Sequence, residues 1–239
     1  GAVPLFLVGI MRRRLPETQR FKVRQAQTRF SQFTATFDML RRLAREYPGR
    51  VATILIAVAA FGFAIAPATV LQSKYLQTAL HYTPREVTML LIPGGVAGLG
   101  LSILTGRLSD RIGRKRVVFF TCLLTGLGFA GLFSGITGWP VPLLWLASFY
   151  GFFATDTMLA GFALEIVPTA YRATVSGLRY TVEILAGAVS LSLEGRAYDL
   201  FHAHGPAIAV MLATIPITLM AILFLPEPSG RTLEEISPT

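Results

Sequence analysis

Three ionisable side chains stand where the surrounding chain is otherwise apolar. Asp156 is the one charged residue between Leu143 and Ala163, and Arg179 and Glu183 are the only ones between Ala173 and Leu193. At about 100° per residue, Ser176, Arg179, Glu183, Ser190 and Glu194 fall on one narrow stripe of a helix. Arg179 and Glu183 are four residues apart and can pair directly. Two readings are open for them: a neutralised pair locking one helix to its neighbour, or an anion-binding arginine beside a proton-carrying carboxylate. Asp156 has no cation on its own segment, and a carboxylate without a partner in apolar surroundings can load and release a proton near neutral pH. Glu194 stands near the end of its segment, where solvent contact is the simpler account.

Other reactive residues carry less. His202 and His204 offer two metal ligands without an evident third, short of the three or four that zinc sites use. Cys122 is the single cysteine, which excludes a disulfide framework and reads as apolar filler. No nucleotide loop, nucleophile–base pair or metalloprotease motif is present. The sequence therefore points away from an enzyme, and no cofactor or metal is expected.

The elements that must position these charges are membrane helices. Hydrophobic residues make up 53% of the 239 and charged residues only 15%, where a soluble domain carries about 25% charged. Six complete spans are predicted: Val51–Ser73, Val87–Thr105, Val117–Ile136, Leu143–Glu165, Ala173–Leu193 and Pro206–Leu225. Gly1–Met11 reads as the end of a truncated seventh, Arg12–Arg50 as a connection, and residues 226–239 as a tail. The expected fold is all-α, a polytopic helix bundle. A mid-membrane charge costs about 2.5–3.5 kcal/mol on insertion scales, so the charged stripe should face a cavity or a neighbouring helix. Pro67, Pro93 and Pro216 fall inside spans and mark expected bends. The pairs Gly94/Gly98 and Gly131/Gly135 suggest close helix approach.

Charge sets the orientation. Alternate connections place 18 Lys and Arg on one side and 3 on the other, with Arg179 inside a span. The positive-inside rule puts the basic side, the long connection and the C-terminal tail in the cytoplasm of a plasma (inner) membrane protein. The net charge of +9 thus answers to anionic lipid headgroups rather than nucleic acid. Within the connection, Phe30, Phe33, Phe37, Leu40 and Leu43 recur at helical steps among Arg41, Arg42 and Arg45, which predicts an amphipathic surface helix ended by Pro48-Gly49.

The connection between the second and third spans runs Gly106-Arg107-Leu108-Ser109-Asp110-Arg111-Ile112-Gly113-Arg114-Lys115-Arg116. Glycines there allow a tight reversal, Asp110 can accept from helix N-terminal amides, and planar guanidinium forks suit carboxylates on adjacent helices. This stretch resembles the signature loop of the major facilitator superfamily, G-x-L-x-D-R-x-G-R-[KR]. Three further segments resemble motifs of its sugar-porter branch and relatives. Pro16–Phe21 is similar to P-E-S-x-R after helix six, and Glu165–Arg172 to E-x-x-P-T-x-x-R between helices ten and eleven. Pro226–Glu235 is similar to P-E-T-K-G-R-x-L-E-E after helix twelve. Their order implies the C-terminal half of a twelve-helix transporter, from the end of helix six onward.

The resemblance implies two six-helix halves that rock about a substrate site near mid-bilayer, with an N-terminal half as the necessary partner. It also implies that Arg114, Glu165, Arg172 and Glu227, with Gly106, Asp110, Arg111 and Gly113 of the loop, form a cytoplasmic gate of interhelical salt bridges. The family's hexose carriers have a Gln-Gln pair and an Asn in helix seven; here Val51–Ser73 has Gln72 alone, and the chain contains no asparagine. The expected function is secondary active transport of a small polar metabolite, an organic acid before a sugar or polyol, coupled to protons, with Asp156, Arg179, Glu183 and Glu194 on the substrate and proton pathway. A sensor that keeps the fold without transporting is the alternative class.

Overall fold

The computed structural model describes residues 29–168 and 171–226, and every regular element among them is a helix. Two units are distinguished, Gly1–Arg42 and Leu43–Thr239. The described part of the first is the opening of α1 (Arg29–Glu46), a helix where the Phe30–Leu43 periodicity predicts one. The second unit contains α2 (Pro48–Thr78), α3 (Pro84–Ile112), α4 (Arg114–Leu132) and α5 (Pro140–Glu165). It continues with α6 (Arg172–Phe201), α7 (His204–Leu212) and α8 (Ile215–Phe224). Pro48 does not merely end α1; it is the first residue of α2, where its missing N–H costs nothing. The readings of Gly1–Met11, of Pro16–Phe21 and of the tail with Glu227 lie outside the described residues.

Among the described residues, five stretches are long and apolar enough to cross a membrane: α2, α3, α4, α5 and the α7–α8 pair. The other expected span, Ala173–Leu193, lies within α6, which has 30 residues. Its length suits a crossing, but Arg179, Glu183, Glu194, Arg196 and Asp199 keep it outside that set. The expected single span Pro206–Leu225 is divided by a turn at Ala213 and Thr214. Pro216 has no N–H for the Leu212 carbonyl, and its ring clashes with that group. The Thr214 hydroxyl donates to the Ala60 carbonyl of α2 at 3.0 Å, which ties the break to the bundle. By contrast α2 and α3 continue through Pro67 and Pro93. At the start of α3, Thr83 and Glu86 form a reciprocal capping box that sets the first turn.

The core forms around α2. Its Ile54, Val58, Phe61, Ile65, Ala68 and Leu76 are all buried, and the helix packs chiefly against α6 and α8, while α4 packs against α5. α3 leaves Met89, Ile92, Val96, Ile103 and Leu104 exposed, an apolar surface suited to lipid rather than water. Each expected pair has one glycine at a close approach: a Cβ on Gly94 would run into the Trp145 ring, and one on Gly131 would meet Leu144 Cδ2 at 2.6 Å. Their partners Gly98 and Gly135 face open space, and Gly135 serves a turn with φ +83. The seam against backbone runs beside them: a Cβ on Gly128 would stand 2.5 Å from the Ser148 nitrogen, and one on Gly151 2.9 Å from the Thr125 nitrogen. Both obstacles are backbone, which cannot swing aside. Gly128→Ala is therefore expected to destabilise by about 1–3 kcal/mol, read as a lower thermal midpoint in detergent. Gly95→Ala, with nothing within 4 Å, should leave the midpoint unchanged.

Candidate functional site

The charged stripe of α6 faces its neighbours within the bundle. Gly62 of α2 permits the approach: a Cβ there would meet the Glu183 carbonyl oxygen at 2.6 Å and its Cγ at 2.8 Å. One turn on, Gly187 lies against Ala66 of α2. Arg179 is 1% exposed, one of the most deeply buried large side chains among the described residues.

Asp156 is not without a partner. From α5 its carboxylate forms an ion pair with Nη2 of Arg179, a correction to the reading from its own segment. The same nitrogen donates to Glu183 Oε2 at 2.9 Å and reaches the Asp156 carbonyl at 3.4 Å. Two carboxylates thus converge on one guanidinium nitrogen. Arg179 Nε and Nη1 are buried and have no hydrogen-bond partner among the described residues. The guanidinium carbon lies 4.5 Å from the centroid of the Tyr180 ring, a cation–π contact. With both acids ionised the trio carries one cation and two anions, a surplus of one negative charge. A buried surplus charge is costly, and one proton removes it.

Glu194 is also placed differently from the solvent-exposed expectation. It is 4% exposed, and its Oε1 lies 2.8 Å from Nδ1 of His204, across the tight connection between α6 and α7. His204 is therefore a partner of Glu194. His202 takes a left-handed conformation, φ +53, in the turn between them.

The opposite end of the bundle gathers the motif residues. Gly113, with φ +101, makes the reversal between α3 and α4, whereas Gly106 lies inside α3 in open space. Asp110 does not cap α4, which has Gly113 at that position and no side-chain cap; its carboxylate lies 3.7 Å from Arg114 Nη2. Arg114 forms an ion pair with Glu165 at the end of α5. Arg172 stands close enough for its charge to act on Glu165, and its Nε is buried without a partner among the described residues. Arg111 is exposed. Two contacts at this end were not legible in the sequence: Lys115 Nζ donates to the Leu223 and Leu225 carbonyls, and Arg50 Nη1 to the Ile166 carbonyl at 3.3 Å. Both place cations at helix C-terminal carbonyls, where the helix dipole favours them.

The family model of the Major Facilitator Superfamily matches residues 52–237. The chain belongs to that superfamily. As a member with apolar helices of crossing length it is an integral membrane protein of a transporter family, not an enzyme. A citrate–proton symporter of Salmonella typhi is 25% identical to it over 188 residues, which cover 76% of this chain and 41% of that protein. The chain therefore spans less than half the length of that relative.

Proposed function

We propose that this chain is the C-terminal six-helix half of a proton-coupled symporter for a small organic anion, of the metabolite–proton symporter branch. It sits in the plasma (inner) membrane with the Arg114 end, the long connection and the C-terminal tail in the cytoplasm. The observation that carries the reading is Arg179, buried, with both carboxylates on one nitrogen and its Nε and Nη1 unpartnered among the described residues. A planar fork with donors to spare suits a carboxylate of a substrate. When that carboxylate enters, Asp156 gives way and takes a proton, so the buried charge stays at one negative. The name of the Salmonella relative, a citrate–proton symporter, supports the same chemistry. The order of the resembling motifs supports the assignment to the C-terminal half, and the lack of asparagine in the chain favours an acid over a hexose. The test is uptake of citrate, malate and succinate by the intact carrier in proteoliposomes, with and without an inward proton gradient. Accumulation of one of them that collapses when a protonophore is added supports symport; gradient-independent uptake of all three, or none, overturns it.

The Arg114 end is proposed as the cytoplasmic gate, holding the outward-facing state closed on that side. An isolated exposed pair contributes only about 0–1 kcal/mol, but Asp110, Arg114, Glu165 and Arg172 act on one another across four helices, α3 to α6. Glu165→Gln and Arg172→Ala are each expected to shift the intact carrier toward inward-facing, with a non-additive double mutant. Spin-label distances across the cytoplasmic mouth read the shift, and unaltered distances in both single variants reduce the cluster to helix capping.

A further inference from the structure

A column of aromatic rings on α5 runs up to the Arg179 trio. At about 100° per residue, Trp145, Phe149, Phe152 and Asp156 fall on one stripe of that helix. The rings touch in turn: Trp145 stacks on Phe149 with centroids 4.7 Å apart, and Phe149 meets Phe153 edge-on at 4.8 Å. Phe153 also meets Phe152 at 4.9 Å, and Phe152 stacks on Phe61 of α2 at 6.3 Å. Trp145 and Phe61 are core residues, whereas Phe153, held from two sides, is still 47% exposed. Asp156, three residues further on, has a side chain 26% exposed. A carboxylate in a membrane helix faces a cavity rather than lipid, and residues three apart are neighbours on one face. The free part of Phe153 therefore opens beside Asp156 on the cavity side.

We infer that the preferred substrate is a monocarboxylate with an aromatic body, its carboxylate on Arg179 and its ring against Phe153. The inference rests on the symport reading above and names the substrate class of that site. Charge fixes the number of carboxylates. Arg179 is the only Lys or Arg within the six predicted spans. With Asp156 protonated, Arg179 and Glu183 are neutral together, and a monoanion returns the buried charge to one negative. A succinate dianion makes it two negatives and a citrate trianion three, and each added charge must be buried without a cation from these spans. Such acids still reach Arg179 through one carboxylate, but bind more weakly.

Geometry fixes the body. The Tyr180 ring covers the guanidinium, 4.5 Å from centroid to carbon, so a carboxylate enters at the edge. There Nη1, buried and without a partner among the described residues, stands beside Nη2 as a two-pronged donor. Phe153 and the Asp156 that gives way are about 4.5 Å apart along the helix axis, the scale of one aromatic ring. A ring extending from the seated carboxylate meets Phe153, whose own position is fixed by Phe149 and Phe152. Ring pairs of this kind gain beyond the area they bury.

Equilibrium binding to the intact carrier in detergent, at a single neutral pH, tests this with benzoate, acetate and succinate as probes. Acetate has the carboxylate without the body, and succinate adds the second charge. Benzoate is expected to bind more tightly than either by about tenfold or more. Phe153→Leu keeps an apolar side chain without the ring and should lower the benzoate-to-acetate ratio by about threefold or more, while Phe153→Tyr keeps the ratio. Benzoate binding no tighter than acetate, or no tighter than succinate, overturns the inference, as does an unchanged ratio in Phe153→Leu. If the leucine variant does not fold, the wild-type order alone decides. Proton-driven uptake of citrate, malate and succinate in proteoliposomes is read separately: a wild type that accumulates none of them overturns the symport reading, whatever the order of binding.

Discussion

Arg179→Ala is expected to abolish transport and to lower the yield of folded protein, the largest effect of any single substitution in the bundle. It removes the one cation between Asp156 and Glu183 and leaves two carboxylates facing each other in a partly buried site. Breaking a buried pair in this way costs about 3–5 kcal/mol. Two further variants separate folding from function. Neutralising all three, Arg179→Met with Asp156→Asn and Glu183→Gln, should restore folding without restoring uptake, because nothing is left to hold an anion or a proton. Arg179→Lys keeps the charge but not the planar fork, so the protein should fold while substrate binding weakens by about tenfold or more, roughly 1.4 kcal/mol. Thermal stability in detergent and equilibrium binding read the two effects apart. Normal binding by the lysine variant would make the pair purely structural.

The second large effect is expected at Asp156. Asp156→Asn retains an oxygen that accepts from Arg179 and removes one negative charge, so the trio becomes Arg179 and Glu183 alone, already neutral. The carboxylate that gives way to the substrate and takes the proton is then missing. Gradient-driven accumulation should fall to background while counterflow exchange, which needs no net proton movement, continues. Glu183→Gln is expected to impair both, since Glu183 also lies against Gly62 at the α2–α6 contact. Unchanged accumulation by the asparagine variant would move the proton site away from Asp156.

The sequence alone determines the parts of this protein that depend on local pattern. Long runs without charge mark the helices because burial of apolar side chains in lipid requires them. The Arg179–Glu183 pair is legible because four residues are one helical turn, whatever the helix packs against. The loop from Gly106 to Arg116 is legible because a reversal needs a residue like Gly113, whose φ of +101 other side chains resist.

The tertiary structure decides what depends on how deep and at what rotation two helices meet. That relation supplies Asp156 with Arg179 from the next helix, takes Glu194 out of solvent and onto His204, and leaves Arg179 Nε and Nη1 with no partner among the described residues. It also adds Gly128 and Gly151 to the close approaches and leaves Gly98 and Gly135 of the expected pairs in open space, and lets Thr214 secure the break beside Pro216 through a carbonyl of α2. A helix period sets which side chains share a face. It carries no information on which face of another helix arrives there, because that choice comes from fitting small residues against backbone along the whole length of both.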